Sequence, residues 1–206
     1  MGRIKEITRK EKGKKRNPVV YIICEGTETE IKYFKRYRTR GCHIDIVPIP
    51  SQYKAADSLV KKAKATLGNN SYYPEDGDSL WCVFDRDDNT DDMLKTAKAI
   101  ALKENYHLVF SNPSFEIWFL LHFIDQQGAL DDCNAVIRLL KQPGRLAQYA
   151  KNIDVFHILE PLRKQAIERA DNRSNRLKQD HMDAFTRSSN PFTNVSELVK
   201  HLLKNS

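Results

Sequence analysis

Three acidic side chains stand where apolar runs end. Glu25 follows Val19-Val20-Tyr21-Ile22-Ile23-Cys24, and Asp85 and Asp87, separated by Arg86, follow Leu80-Trp81-Cys82-Val83-Phe84. A single carboxylate after a strand is routine, and Asp85 or Asp87 could simply cap the helix that follows. Two strands that both end in acids ask for more. Carboxylates gathered within a few ångströms repel one another and retain their protons unless a cation neutralises them, so such a cluster suits Mg2+ or Mn2+. The chemistry this predicts is metal-dependent phosphodiester hydrolysis. Asp85 and Asp87 would hold one or two cations, two being about 3.5–4 Å apart, while Glu25 bridges them or acts as general acid/base and a metal-bound water attacks.

Other polar residues fall near these ends. Glu30 lies a turn further along, where it either supports the ligands or complements the helix dipole. Glu116 is embedded among Phe115, Ile117, Trp118, Phe119, Leu120 and Leu121. If buried it needs a partner, so it either faces the acidic cluster as a further ligand or pairs with a base such as Arg138 or Arg163. Arg86 is either a phosphate contact or an ion-pairing residue that orders the acids. Asn112 can orient a carboxylate or the substrate, or, standing before Pro113, only shape a turn. Lys32, Lys35 and Arg36 either steer a phosphate backbone or form a solvated helix face.

The elements that must position these residues read as alternating strands and helices. The continuous, β-branched-rich run at 19–24 predicts a strand covered on both faces, 44–49 reads as a second strand, 80–84 as a third, buried one and 106–110 as a fourth. Helices are predicted after the first three, with Thr27 or Thr29 capping the first, Ala55 to Leu67 forming the second and Asp91 to Glu104 the third. This is an α/β pattern: a mostly parallel, four-stranded, Rossmann-like sheet flanked by helices. In such sheets ligands bind beyond the carboxyl ends of the strands, where Glu25, Asp85 and Asp87 fall. After Ser111 the pattern turns helical, over Ser114 to Phe123, Asp154 to about Arg176 with Pro161 kinking or restarting it, and Asn194 to Lys204. The expected organisation is a basic arm at 1–16, an α/β core at 17–123 and a helical extension at 124–206 packed on it.

Composition narrows the class. The 206 residues, 40% of them hydrophobic, suit one globular domain and exclude collagen, coiled coil and wholesale disorder. No run of eighteen apolar residues and no apolar leader occurs, so a cytoplasmic protein without membrane insertion is expected. The four cysteines form no Cys-x-x-Cys pair and the six histidines lack i, i+4 spacing, which argues against zinc, disulfides and a His-built site. The first sixteen residues carry eight basic side chains against two acidic ones and account for +6 of the net +7. Such an arm is drawn to a polyanion, nucleic acid above all, or serves as a solubilising tail.

Glu25-Gly26, Thr29-Glu30 and Tyr33-Phe34, then Phe84-Asp85-Arg86-Asp87, then the stretch from Ser111 through Asn112-Pro113-Ser114-Phe115-Glu116 to Phe123, and finally Asn190-Pro191-Phe192-Thr193-Asn194-Val195, together resemble the RloB-like family over roughly residues 17–203. The resemblance implies a Toprim-like core with Glu25, Asp85 and Asp87 as its acidic set and Glu116 as the best-placed further acid. It also implies an effector in abortive phage resistance, encoded near restriction-modification loci and acting beside an ATPase partner. The chain has no Gly-x-x-x-x-Gly-Lys-Ser/Thr, so an ATP-driven step would belong to that partner. Two other classes remain: a haloacid-dehalogenase-like phosphatase, which places Asp-x-Asp after its first strand and leaves Glu25 without a role, and a non-catalytic module that docks nucleic acid or a partner. The residues do not distinguish DNA from RNA or tRNA, nor monomer from homo-oligomer.

Overall fold

The structure is a computed structural model that describes residues 16–38 and 43–204. The basic arm, Arg16 excepted, lies outside the described residues, as does Cys42.

Four runs form the parallel part of one sheet: β1 (Val19–Cys24), β2 (Asp45–Pro50), β3 (Ser79–Asp85) and β4 (His107–Asn112). All six residues of β1 are buried, as a strand covered on both faces requires. The sheet has five strands, not four. β5 (Phe192–Thr193) joins antiparallel to β4, in the order β2-β1-β3-β4-β5. Two residues are too few to show periodicity, and the pairing is completed by a side chain. Asn194 accepts the Phe110 N–H through Oδ1 at 2.8 Å and donates through Nδ2 to the Leu108 carbonyl at 3.0 Å, continuing the ladder where β5 ends.

The strand order reverses beside β1. The chain runs from β1 through α1 (Thr29–Lys35) to β2 on one side, then through α2 (Ala56–Thr66) back to β3 on the other, with α3 (Asp91–Glu104) leading on to β4. Alternation along the strands divides the core accordingly. Val20, Ile22, Cys24, Trp81 and Val83 pack with α1, whereas Tyr21, Ile23, Leu80, Cys82 and Phe84 pack with α2 and α3. Crossing connections on opposite faces leave a crevice between the carboxyl ends of β1 and β3, the usual ligand position in such sheets.

Local chemistry sets the helix limits. Thr90 accepts the Met93 N–H at 3.3 Å to start α3, and Asn105 ends it in the left-handed region at φ 56°. α1 has no side-chain cap: Glu28 occupies the cap position, and Thr29 donates instead to the Lys151 carbonyl. The remaining helices are α4 (Glu116–Leu121), α5 (Cys133–Leu140), α6 (Phe156–Leu159), α7 (Arg163–Gln179) and α8 (Val195–Lys204). Pro161 sits in a 3-10 turn between α6 and α7, so the helix restarts there. α5 has no counterpart in the sequence reading; it starts where Asp132 accepts the Ala135 N–H at 2.7 Å.

These helices share the core on the α1 face. Trp118, fully buried, donates to Tyr33 Oη at 2.8 Å, and the Tyr33 ring packs against Phe34, Tyr37, Phe115, Phe119 and Phe156. No helix of the described residues is long and apolar enough to cross a membrane.

Candidate functional site

The sheet brings Glu25 and Asp85 into direct contact. The Glu25 N–H donates to the Val83 carbonyl at 2.9 Å, prolonging the β1–β3 ladder by one residue. Its Oε2 accepts the Asp85 N–H at 3.1 Å, which lays the carboxylate across the end of β3. Asp85 closes β3, and its Oδ1 is buried with no hydrogen-bond partner among the described residues. Asn89 braces the turn beyond: Nδ2 donates to the Asp85 carbonyl at 2.8 Å, and Oδ1 accepts the first N–H of α2, that of Ala56, at 2.8 Å.

Two further acids reach the same crevice from helices. Glu30, 6% exposed in the first turn of α1, folds back over Gly26. A Cβ at Gly26 would stand 2.2 Å from Glu30 Oε2, so the Glu30 carboxylate occupies the space a side chain at position 26 would take. Glu116, 2% exposed, begins α4. Its Oε1 accepts Tyr149 Oη at 3.0 Å and its Oε2 lies 3.4 Å from the Cys133 thiol, with Lys151 Nζ 3.9 Å away. Neither Arg138 nor Arg163 serves it; Arg163 pairs with Glu160 at 3.0 Å and lies over the Tyr37 and Phe156 rings.

Glu25, Glu30, Asp85, Asp87 and Glu116 line one cavity of about 690 Å3, together with Lys54 and Lys151. Its electrostatics follow from crowding. Burial, reinforced by Asp87 and Glu30, pushes Glu25 up to about 7 although the Asp85 N–H and Lys54 oppose it. Burial and the charges of Glu30, Glu116 and Glu25 raise Asp85 well above the ordinary range, against a hydrogen bond from the Phe115 backbone. Glu30 is raised by burial and by Glu116. Asp87 differs from these: it is exposed on the turn at φ 29° and bears on Glu25 from the edge.

Among the described residues, no three His, Cys, Asp or Glu side chains are arranged to hold an ion as they stand. The donors nonetheless fit a hard divalent cation. All are carboxylate oxygens, one is buried without a partner, and their mutual repulsion favours any added positive charge. Asp85, Glu25 and Glu116, with Glu30 beside them and Asp87 at the edge, are the residues that would hold it.

The remaining residues named from sequence lie elsewhere. Lys32 pairs with Glu28 and donates to the Asn152 carbonyl at 3.1 Å. Arg86 donates its N–H to the Ser111 carbonyl at 2.8 Å, and its Nε is buried without a partner among the described residues. Asn112 donates through Nδ2 to the Thr186 and Arg187 carbonyls, both at 3.2 Å, and so anchors the loop before β5. None of the three lines the cavity. Sequence reasoning missed Lys54, Tyr149 and Lys151. Lys54 follows β2, so the strand-end rule applied to β1 and β3 could have found it, whereas residues 149 and 151 lie in a stretch without periodicity.

A family model described as RloB-like protein matches residues 20–202. No curated protein and no solved structure matches the chain.

Proposed function

The chain belongs to the RloB-like family, and from that premise we propose that it is a Toprim-like, Mg2+- or Mn2+-dependent nuclease that acts in the cytoplasm as an effector of anti-phage defence, beside an ATPase partner. The observation that carries this reading is the Asp85 carboxylate. Its Oδ1 is buried beside the charges of Glu25, Glu30 and Glu116 and has no partner among the described residues, an arrangement that is costly unless a cation completes it.

A divalent cation held by Asp85, Glu25 and Glu116 would lower the pKa of water and neutralise charge on a scissile phosphate. The chain's own groups would do the rest. Lys54 and Lys151 present ammonium groups at the cavity, suited to the non-bridging oxygens of a phosphodiester. Lys54 donates to the Glu25 carbonyl, which holds it at the carboxyl end of β1. Glu25, tied by one oxygen to the Asp85 N–H, faces the cavity as the acid/base candidate.

The test incubates the protein, with and without its ATPase partner, with DNA, total RNA and tRNA in Mg2+ or Mn2+. Cleavage that is lost in Asp85→Ala and Asp87→Ala with folding intact supports the reading, and cleavage of a single class names the substrate. A second reading is a non-catalytic module that binds nucleic acid or a partner. It is favoured by Lys151 lying 3.9 Å from Glu116, a cation already near the acids. Binding without cleavage under every condition would establish it, whereas a trapped aspartyl-phosphate with small phosphomonoesters would indicate a phosphatase.

A further inference from the structure

Every side chain that contacts the Glu116 carboxylate through a hydrogen bond or ion pair described above comes from beyond residue 124: Cys133 at the start of α5, and Tyr149 and Lys151 from the segment between α5 and α6. Tyr149 is the closest of them. Its ring is buried, 2% exposed, edge-on to Phe119 at 5.9 Å, and its hydroxyl donates to Oε1 at 3.0 Å. The thiol of Cys133 stands 3.4 Å from the other oxygen, so both ends of the carboxylate are engaged.

The segment that carries Tyr149 is itself fixed on α1. Thr29 Oγ1 donates to the Lys151 carbonyl at 3.2 Å, Lys32 Nζ to the Asn152 carbonyl at 3.1 Å, and Arg36 pairs with Asp154 at 3.2 Å. Three contacts over about two turns of chain, the last at the residue that follows α1, hold the loop against the cavity wall. The Lys32 and Arg36 side chains are thus occupied in bracing this loop. A phenol suits the position because its body packs in an apolar core while its tip supplies one directed donor.

We propose that Tyr149 is a positioning residue for the divalent-ion site: it fixes the rotation of the Glu116 carboxylate, so that the segment beyond residue 124 completes the site that the sheet begins. This rests on the divalent-ion reading above. Tyr149 itself touches neither ion nor substrate and acts through Glu116.

Calorimetric titration of the full chain with Mn2+ alone tests this. Tyr149→Phe retains the ring and its packing and removes only the donor, so Mn2+ binding is expected to weaken about ten-fold. In the cleavage assay the same variant should need a correspondingly higher Mn2+ concentration, recover its rate when that is supplied, and keep its KM for nucleic acid. A residue that merely supports the fold would lower the melting temperature and leave Mn2+ affinity and the Mn2+ requirement unchanged, which would overturn the proposal. If the wild type takes up no Mn2+, the divalent-ion reading fails and this inference with it; if the wild type binds and Tyr149→Phe binds equally, only the positioning role falls. Should Tyr149→Phe fail to fold, Cys133→Ala removes the partner of the other oxygen. It is expected to weaken Mn2+ binding by a smaller factor, and unchanged affinity there overturns the proposal.

Discussion

Placing a methyl group at Gly26 separates the stability of the chain from the placement of its acids. The new Cβ would stand 2.2 Å from Glu30 Oε2, and 2.6 Å from both Cδ and Oε1, where ordinary contacts begin at 3.4 Å. The carboxylate must therefore retreat by about 1 Å or more. The obstacle is the far end of a flexible side chain, so the backbone need not move and Gly26→Ala should fold. Glu30 would lose its bond to its own backbone N–H and be re-sited while buried, a cost of about 1–3 kcal/mol. Restricting the unfolded chain returns about 0.4–1 kcal/mol, since Gly26 lies outside the positive-φ region. The net expectation is a loss of about 1–2 kcal/mol, or about 2–8 °C in melting temperature for a chain of this size. In a Glu30→Ala background the obstacle is absent, and the same substitution should stabilise by about 0.5 kcal/mol. Urea denaturation of the four proteins measures this cycle. An equal effect of Gly26→Ala in both backgrounds would show that Glu30 does not lie over Gly26, and the description of the cavity would be wrong at that wall.

Three further outcomes are expected. Asp85→Asn removes a buried, repelled carboxylate, so without divalent ions the variant should melt about 2–4 °C above the wild type while losing the thermal shift that Mn2+ produces; a lower melting point would refute the crowding account. Asp78 is buried, which raises its pKa, but Arg16 and the Tyr73 and Val19 N–H groups outweigh this and lower it below 3.8. Its contribution is therefore complete above the unfolded value of 3.8 and lost as pH falls through the lower folded value. Asp78→Asn should cost about 2–3 kcal/mol at pH 7, and its gap from the wild type should close in strong acid, as followed by urea denaturation. His122 is pushed by burial from 6.5 to about 4, so its neutral form belongs to the fold. Its own contribution should be complete above pH 6.5 and fall by up to about 3 kcal/mol as pH drops toward 4, so the difference in stability between wild type and His122→Leu should change by that amount across the window, as followed by urea denaturation.

How far the sequence announced this architecture depends on the length of each signal. Runs such as Val19–Cys24 and Leu80–Phe84 are apolar at every position because both faces of their strands are covered, and they can be read directly. β5 escapes because two residues carry no periodicity, and its real signature is the Asn194 side chain standing in for backbone. α5 escapes because its start depends on one Asp132 cap within a polar loop. In the site, the strand-end rule finds Glu25 and Asp85 since the sheet alone fixes them. It does not separate Asp85 from Asp87, because the turn that lifts Asp87 to the rim at φ 29° is set by Asn89 and Arg86 contacts made in three dimensions. Lys32 and Asn112 read as candidates by type, and their partners, a loop carbonyl from residue 152 and carbonyls at 186 and 187, are far along the chain.

The two-residue strand has a bearing on how the protein is made. Ser111 and Thr193, whose hydroxyls meet at 3.0 Å, are 82 positions apart. A ribosome that has released β4 must therefore synthesise most of the remaining helices before that strand gains its outer neighbour. Until then the nascent chain presents an open hydrogen-bonding edge beside the apolar helix that begins at Glu116, the kind of surface that invites chaperones and, in their absence, self-association.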